Sequence, residues 1–458
     1  MKKLYWIFLI GSAIIYGISF LCSEYLWWLV FIFPVPLLYI TRQVNLSFIH
    51  GYVWGLFVFT LHLSGVMYVL ICLSRETWAM GIIAGSIIIL YQALMPGFLF
   101  WCATRINQFF ILPIKAQLLV WNIVLWLFIM WIDWYSMWIF GIKEGYPLMH
   151  PLIPLSQKPA LLCLLPYIGK QLVTIAFLFV PTSIVMMLWC KNYKTVLFFC
   201  GAIAPWIVCW WWGAKVNMQQ ACWHKKVKAL PMMICSTAKN PAVAIKIAAH
   251  HLKNIVATYP ETEIVIMPES AFNMSNFADL SELLQWWHED YIGKKIHFIF
   301  GASRWHEGCY YNSLHWVYNG ALQGCCDKRH AMLLSERLPL WIDGPIMQQL
   351  YFNQSCPIAI SSCKRDKLVL PECGEFVPYI CSELFFNEFP DDEYKDIPVI
   401  VIINDSLFSV NVWSLYIQKL LVLLARFRAI QWQRDIVYVS YAQSLFIDRH
   451  EVIHEINK

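Results

Sequence analysis

Residues 264–272 read IVIMPESAF, and the reading of that stretch decides the fold. Four consecutive apolar residues, rich in β-branched types, read as a buried strand. Met267 and Pro268 end it. A carboxylate, Glu269, then stands at the strand's carboxyl end, where open α/β sheets gather their working groups. A lone glutamate in a loop is ordinarily a solvated residue, so the meaning of Glu269 depends on what the rest of the chain supplies.

The chain has 458 residues, 59% hydrophobic and only 14% charged, against about 25% charged in soluble domains. The deficit is uneven. Residues 1–213 hold 11 Lys/Arg against 4 Asp/Glu, a net of +7, and residues 214–458 hold 23 against 25, a net of −2. The overall +5 therefore describes a cationic-flanked membrane half joined to a near-neutral soluble half, and it excludes a basic nucleic-acid binder.

The first half resolves into seven apolar runs, at 4–23, 25–41, 51–74, 77–104, 116–132, 171–190 and 195–213. Each approaches or reaches the ~17–25 residues that cross a bilayer. Six runs follow the first and no small-residue cleavage site stands out, so the first reads as a retained helix. With the N-terminus inside, the inner loops hold Lys2, Lys3, Arg42, Arg105, Lys115, Lys191 and Lys194, and the short outer loops hold Arg75, which is the positive-inside bias. This places 1–213 in a seven-helix transmembrane domain and 214–458 outside the cytoplasm. Asp133 and His62 read as packed or interfacial structural residues. The proline-rich 134–170 segment reads as an ordered outer loop able to cover a site.

The second half alternates helix and strand. PAVAIKIAAHHLKNIVAT (241–258) and FADLSELLQWWHEDY (277–291) carry helical spacing, and KIHFIFGAS, IPVIVIIND and DIVYVSYA read as strands. NSLHWVYNGAL alternates and turns at Asn319-Gly320, a hairpin signal. LYIQKLLVLLARFRAI reads as a further helix of this half. The whole is an α/β layered domain. Of 16 cysteines, nine follow residue 213 and none has zinc-type spacing; in an oxidising compartment several are candidates for disulfides. With no Gly-rich phosphate loop and no GxSxG elbow, no metal or other cofactor is expected.

Two further residues share the placement of Glu269. Lys328 follows the hairpin in CCDKRH, and Cys381 follows a short apolar run in GEFVPYICSELFF, with Glu383 close behind. Singly, a loop lysine is solvated and such a cysteine is core. Together they supply what thiol chemistry needs: a carboxylate to take the proton, an ammonium to hold an oxyanion, and a nucleophile. Burial beside a thiol is expected to raise the pKa of Glu269 above the ~4.3 of free glutamate.

The ordered set MPESAF, FGA with YYNS, DKRH with Glu336, ICSE, IINDSLF, ARFRA and Arg434 resembles the nitrilase (carbon–nitrogen hydrolase) superfamily. With seven membrane helices ahead of it, the chain resembles the apolipoprotein N-acyltransferases. The resemblance implies a multi-pass helical membrane domain followed by an αββα sandwich. It implies Glu269 as general base, Lys328 as oxyanion stabiliser and Cys381 as nucleophile, with Glu336 and Glu383 supporting. It also implies a phospholipid acyl donor, an apolipoprotein or other amine acceptor, and a bacterial inner membrane with the catalytic domain periplasmic. The chain departs from the family at Ser382, where tyrosine is usual, at LLSER (333–337), and at Asp405–Ser409. It ends at Lys458, where neither the family's closing strands nor its eighth membrane helix is expected. Two other readings remain: a divergent acyltransferase or amidase of a conjugal-transfer system, and a catalytically silent assembly factor of one.

Overall fold

The computed structural model describes residues 2–73, 78–135, 147–190, 192–213, 227–229, 241–272, 295–306, 309–331, 336, 358–359, 367–386, 397–406, 412–449 and 453–456. They fall into two compact units: Met1–Asn217 with Asn411–Gln431, and Met218–Val410 with Trp432–Lys458.

The first unit is helical. Among the described residues six helical stretches are long and apolar enough to cross a membrane: Leu4–Leu21, Ser23–Ile40, Gly81–Phe110, Ile114–Trp134, Leu165–Cys190 and Tyr193–Trp212. Large apolar side chains such as Ile87, Leu94, Leu119, Leu172 and Leu197 stay exposed on them, an apolar surface consistent with a membrane protein. One of the seven runs differs from expectation. The second is broken into Ser23–Leu26, a 3-10 turn at Trp27–Phe31 and Pro34–Ile40; Pro34 and Pro36 supply no backbone N–H, so a continuous ladder cannot form through them. The 51–74 run lies on one helix, Phe48–Leu73, whose described apolar part is Phe48–Ser64. That helix meets Trp78–Phe110 through Gly51 and Gly55. A Cβ on Gly51 would collide with the Pro96 carbonyl oxygen, and one on Gly55 would lie 2.5 Å from Pro96 Cγ. Small residues four apart let the two backbones approach.

Residues 147–162 are three 3-10 turns begun by Pro147, Pro154 and Pro159. Residues 147–156 are all buried, so this part of the expected covering loop is packed into the helical unit; residues 136–146 lie outside the described set. Ser156 Oγ donates to the Leu423 carbonyl and Arg426 Nη1 to Gln157 Oε1. The helix Val412–Trp432 therefore packs with the helical unit, although chain order puts it among the strands. His62 is a packed residue, its Nδ1 donating to the Val58 carbonyl at 2.9 Å and its ring against Tyr16 and Phe20. Asp133, fully buried in a π-turn, forms an ion pair with buried Lys170.

The described residues of the second unit form two six-stranded sheets. The strands of the first are β1 (Val227–Ala229), β2 (Ile264–Ile266), β3 (His297–His306), β4 (Cys309–Tyr318), β5 (Ala321–Asp327) and β6 (Ile358–Ala359). They run in the order β1-β2-β3-β4-β5, with β6 pairing β4. The second sheet holds β7 (Leu368–Leu370), β8 (Gly374–Ile380), β9 (Val399–Ile402), β10 (Ile436–Val439), β11 (Ser444–Ile447) and β12 (Ile453–Glu455), in the order β12-β11-β10-β9-β8-β7. Both centres are parallel: β2 lies between β1 and β3, and β9 between β8 and β10. Each of these two central strands is buried throughout, which is why their sequences are unbroken apolar runs rather than alternations. Val227, Ile264, Ile299 and Leu314 of one sheet share a core with Phe376, Ile400, Val437 and Phe446 of the other, so the sheets pack face to face. The β4–β5 turn has positive φ at both Asn319 (49°) and Gly320 (77°), the condition a type I′ hairpin imposes. Helix Pro241–Thr258 follows the expected bounds; the helix expected at 277–291 lies outside the described residues. Two short strands that the sequence reading did not single out, β11 and β12, extend the second sheet beyond β10. They are only three or four residues long, and β12 reads Ile-His-Glu, too short and too polar to announce itself.

Removing one member of a buried ion pair leaves the other charge uncompensated, at about 3–5 kcal/mol. Lys170→Ala is therefore expected to lower the midpoint of thermal unfolding in detergent sharply. Asp133→Asn combined with Lys170→Met should recover most of the loss, and equal losses in the single and double variants would contradict the pairing.

Candidate active site

Four strands build the site. Glu269 follows β2, Asn312 lies within β4, Lys328 follows β5, and Cys381 follows β8. Because the two sheets face each other, these positions converge. Glu269 and Lys328 are buried, at 4% and 3% exposure, and Cys381 is half-buried.

Glu269 is fully engaged. Its Oε1 accepts from Asn312 Nδ2 at 2.7 Å and from Lys328 Nζ at 3.1 Å. Its Oε2 accepts from the Asn404 backbone N–H at 2.9 Å, and the Cys381 thiol is near enough for the two groups to influence each other's ionisation. The main chain beneath it is held as closely. Gly301 N–H donates to the Pro268 carbonyl and Phe272 N–H to the Gly301 carbonyl. A Cβ at 301 would lie 2.5 Å from Glu269 Cα, so the glycine in FGAS is required by close approach. Ser270 takes the left-handed conformation, φ 55°. Tyr441 Oη donates to the Glu269 carbonyl at 2.9 Å, and Asp405 Oδ1 accepts from the Tyr441 and Ala442 N–H groups. Asp405 and the Tyr441–Ala442 turn thus meet as a brace under Glu269.

Lys328 stands between two acids, bonding Glu269 and, at 2.8 Å, Glu336 Oε1. Asn312 Nδ2 reaches Glu336 as well, at 2.9 Å. Glu383 does different work. Its Oε2 accepts from the Ile380 N–H at 2.7 Å and its Oε1 from the Arg329 N–H at 2.8 Å. One carboxylate therefore bridges the turn that carries Cys381 to the loop that carries Lys328. Ser382 Oγ adds a bond to the His330 carbonyl at 2.9 Å. These ties hold Cys381 at φ 48°, a left-handed conformation that costs a non-glycine residue roughly 1–3 kcal/mol. Strain of this kind persists where the surroundings over-determine it, and here it falls on the sulfur-bearing residue.

The ionisation states follow from this geometry. Burial pushes the Glu269 carboxyl up, but Lys328, the Cys381 thiol, Asn312 and the Asn404 N–H outweigh it, and the net shift is downward. The rise expected from burial alone is thus overturned by a cation 3.1 Å away. For Lys328, burial favours the neutral amine, and Glu269 and Glu336 reverse it, raising the pKa well above the usual lysine value. Burial and the Glu269 charge raise the Cys381 thiol well above its ordinary range. At neutral pH the resting site holds carboxylate, ammonium and thiol.

Sequence reasoning placed Glu269, Lys328, Cys381, Glu336 and Glu383, and the structure brings all five together. It missed Asn312, which ties the two acids. The available signal was a polar residue on the face that Leu314 and Trp316 share, since residues two apart in a strand point the same way. The departures at 407–409 and 333–335 lie outside the described residues.

No protein-family model and no curated protein matches the chain. Among solved structures it is similar to a carbon–nitrogen hydrolase from Helicobacter pylori G27, at 12% identity and TM-score 0.38, over 50% of this chain and 85% of that one. It is also similar to a CN-hydrolase superfamily protein from Xanthomonas campestris with an arsenic adduct in its active site, at 17% identity and TM-score 0.33, over 48% and 83%. A third is a glutamine-dependent NAD+ synthetase from Acinetobacter baumannii, at 14% identity and TM-score 0.27, over 46% and 39%. Overlaps this loose carry no argument; the chemistry assigned to the site rests on its own geometry.

A depressed carboxyl pKa means that Glu269 stays ionised, and adds to stability, above the ~4.3 of free glutamate, both being lost as pH falls through its lower folded value. Acylation of Cys381 by an activated ester should therefore hold level from neutrality down to about pH 4.3. Glu269→Gln should slow it by about 10²–10⁴, the usual cost of losing a general base, with an unchanged circular dichroism spectrum. An acid limb centred between pH 6 and 7, or a Gln variant as fast as the wild type, would contradict the assignment.

Proposed function

We propose that the protein is a membrane-bound acyltransferase that moves a fatty acyl chain from a phospholipid, through a thioester on Cys381, to an amine, with the α-amine of a lipoprotein's N-terminal cysteine as the acceptor. The observation that carries the reading is the convergence of a thiol, a buried carboxylate beside it and a buried ammonium ion-paired to that carboxylate. A chain with six apolar helices of spanning length among its described residues supports a lipid substrate over a small soluble amide.

In the first half-reaction the Cys381 thiol proton passes to Glu269 as sulfur attacks the ester carbonyl carbon. The negative charge that develops on the carbonyl oxygen is stabilised by Lys328. The C–O ester bond breaks, Glu269 returns the proton to the departing alcohol of the lysophospholipid, and the thioester remains. In the second half-reaction the acceptor amine attacks the thioester carbon, Glu269 takes its proton, the C–S bond breaks, and the proton returns to sulfur as the amide leaves. Glu336 keeps Lys328 in place and paired while Glu269 cycles between charged and neutral. The charge bias of the helical half supports a periplasmic site in a bacterial inner membrane.

Purified protein in phospholipid micelles, given a lipopeptide with a free N-terminal cysteine, should yield a hydroxylamine-stable acyl amide on the α-amine, and Cys381→Ala should yield none. A lipopeptide left unmodified while Cys381 carries acyl would remove this acceptor. Acyl on neither would remove the acyltransferase reading.

A further inference from the structure

The hairpin β3–β4 runs on past the site. Its register pairs Ile299 with Trp316, Gly301 with Leu314, Ser303 with Asn312, and Trp305 with Tyr310. Side chains two apart share a face, so these pairs form one row on the face that Ile299 and Leu314 present to the opposite sheet. The row passes from core, to the glycine beneath Glu269, to Asn312 in the site, and then to an aromatic pair. That pair is not buried: Trp305 is 55% exposed and Tyr310 39%, their rings edge to face with centroids 4.4 Å apart. Two large rings held against each other, beyond the buried cluster and on the same face, form a partly exposed apolar surface.

At this outer end the opposite face of the hairpin is polar. Arg304 makes a two-pronged bond to Asp327, at 2.7 and 2.5 Å, and lies over the Tyr311 ring at 5.2 Å. Ser313 Oγ also donates to Asp327. A hairpin end apolar on one face and ion-paired on the other is poorly suited to entering hydrocarbon, where the charged face would be desolvated. It suits a wall that offers its apolar side to a chain lying along the row.

We propose that Trp305 and Tyr310 form the wall on which the donor's acyl chain lies as its carbonyl reaches Cys381, and that they set the preference for long chains. This rests on the acyl-transfer reading above. Asn312 bonds the Glu269 carboxylate of the site, and the row leads outward from Asn312 to the two rings. A short acyl group ends before reaching them and a long one does not.

The test compares acylation of Cys381 by p-nitrophenyl butyrate and p-nitrophenyl laurate, with the full-length protein in detergent. Apolar contact worth one or two methylenes changes a rate by about tenfold or more. Trp305→Ala and Tyr310→Ala should each reduce the laurate-to-butyrate rate ratio about tenfold, and Trp305→Phe should largely keep it. A ratio unchanged in both alanine variants would overturn the proposal, and so would equal losses for the two esters, which mark a purely structural role. A wild-type protein that takes acyl from neither ester would overturn both the wall and the acyl-transfer reading. A wild type acylated by both, with no loss of selectivity in the variants, overturns the wall alone.

Discussion

One buried ammonium between two carboxylates organises the α/β unit. Glu269, Lys328 and Glu336 side chains are at most 9% exposed, and taking each from water costs several kcal/mol. That cost is tolerable only where every lone pair and proton finds a partner. The neighbouring structure is arranged to supply them. Asn312 donates to both acids, Asn404 gives a backbone N–H, and Gly301 lets its strand come close enough to the Glu269 main chain for the network to close. Two positive-φ residues, Ser270 and Cys381, mark where the main chain yields to the side chains.

The same network sets the chemistry. A single cation shared by two acids leaves the group with a net negative charge, and a thiol placed beside that charge resists ionisation. Cys381 therefore rests as a thiol beside Glu269 rather than as a standing thiolate. In the proposed reaction its proton would leave only as the sulfur attacks. A stored thiolate near a membrane would be open to alkylation and oxidation; a thiol that ionises only as it attacks is better protected from both. Glu383 contributes by geometry, since its two oxygens tie the turn of Cys381 to the loop of Lys328.

Much of this was legible from the residues. The continuous apolar runs at 264–266 and 399–402 announce strands buried on both faces, and Asn319-Gly320 announces its turn. Glu269, Lys328 and Cys381 stand out because each ends a strand. What could not be read is what depends on pairing across the chain. The Asn404 N–H is a backbone donor that any residue but proline would carry there, so no letter marks it. The direction of the Glu269 pKa is a balance between burial and a lysine 59 residues away, and only the distance decides it. Helix Val412–Trp432 sits between strands in sequence, but Leu423 and Arg426 bond to 156–157 and Lys419 pairs with Glu24. An apolar stripe says that a helix will be covered and not by what.

The central claim is that Cys381 carries the acyl group. It is tested most directly by mass spectrometry of the protein purified from membranes with its lipids and no added acceptor. The account predicts a hydroxylamine-labile fatty acyl adduct on the peptide containing Cys381, absent in Cys381→Ala. The structure has Cys381 as a free thiol and Cys373 donating to Glu263 at 3.3 Å. A Cys381 that never carries acyl and is instead found bridged to Cys373 would contradict the account and leave the site a structural one.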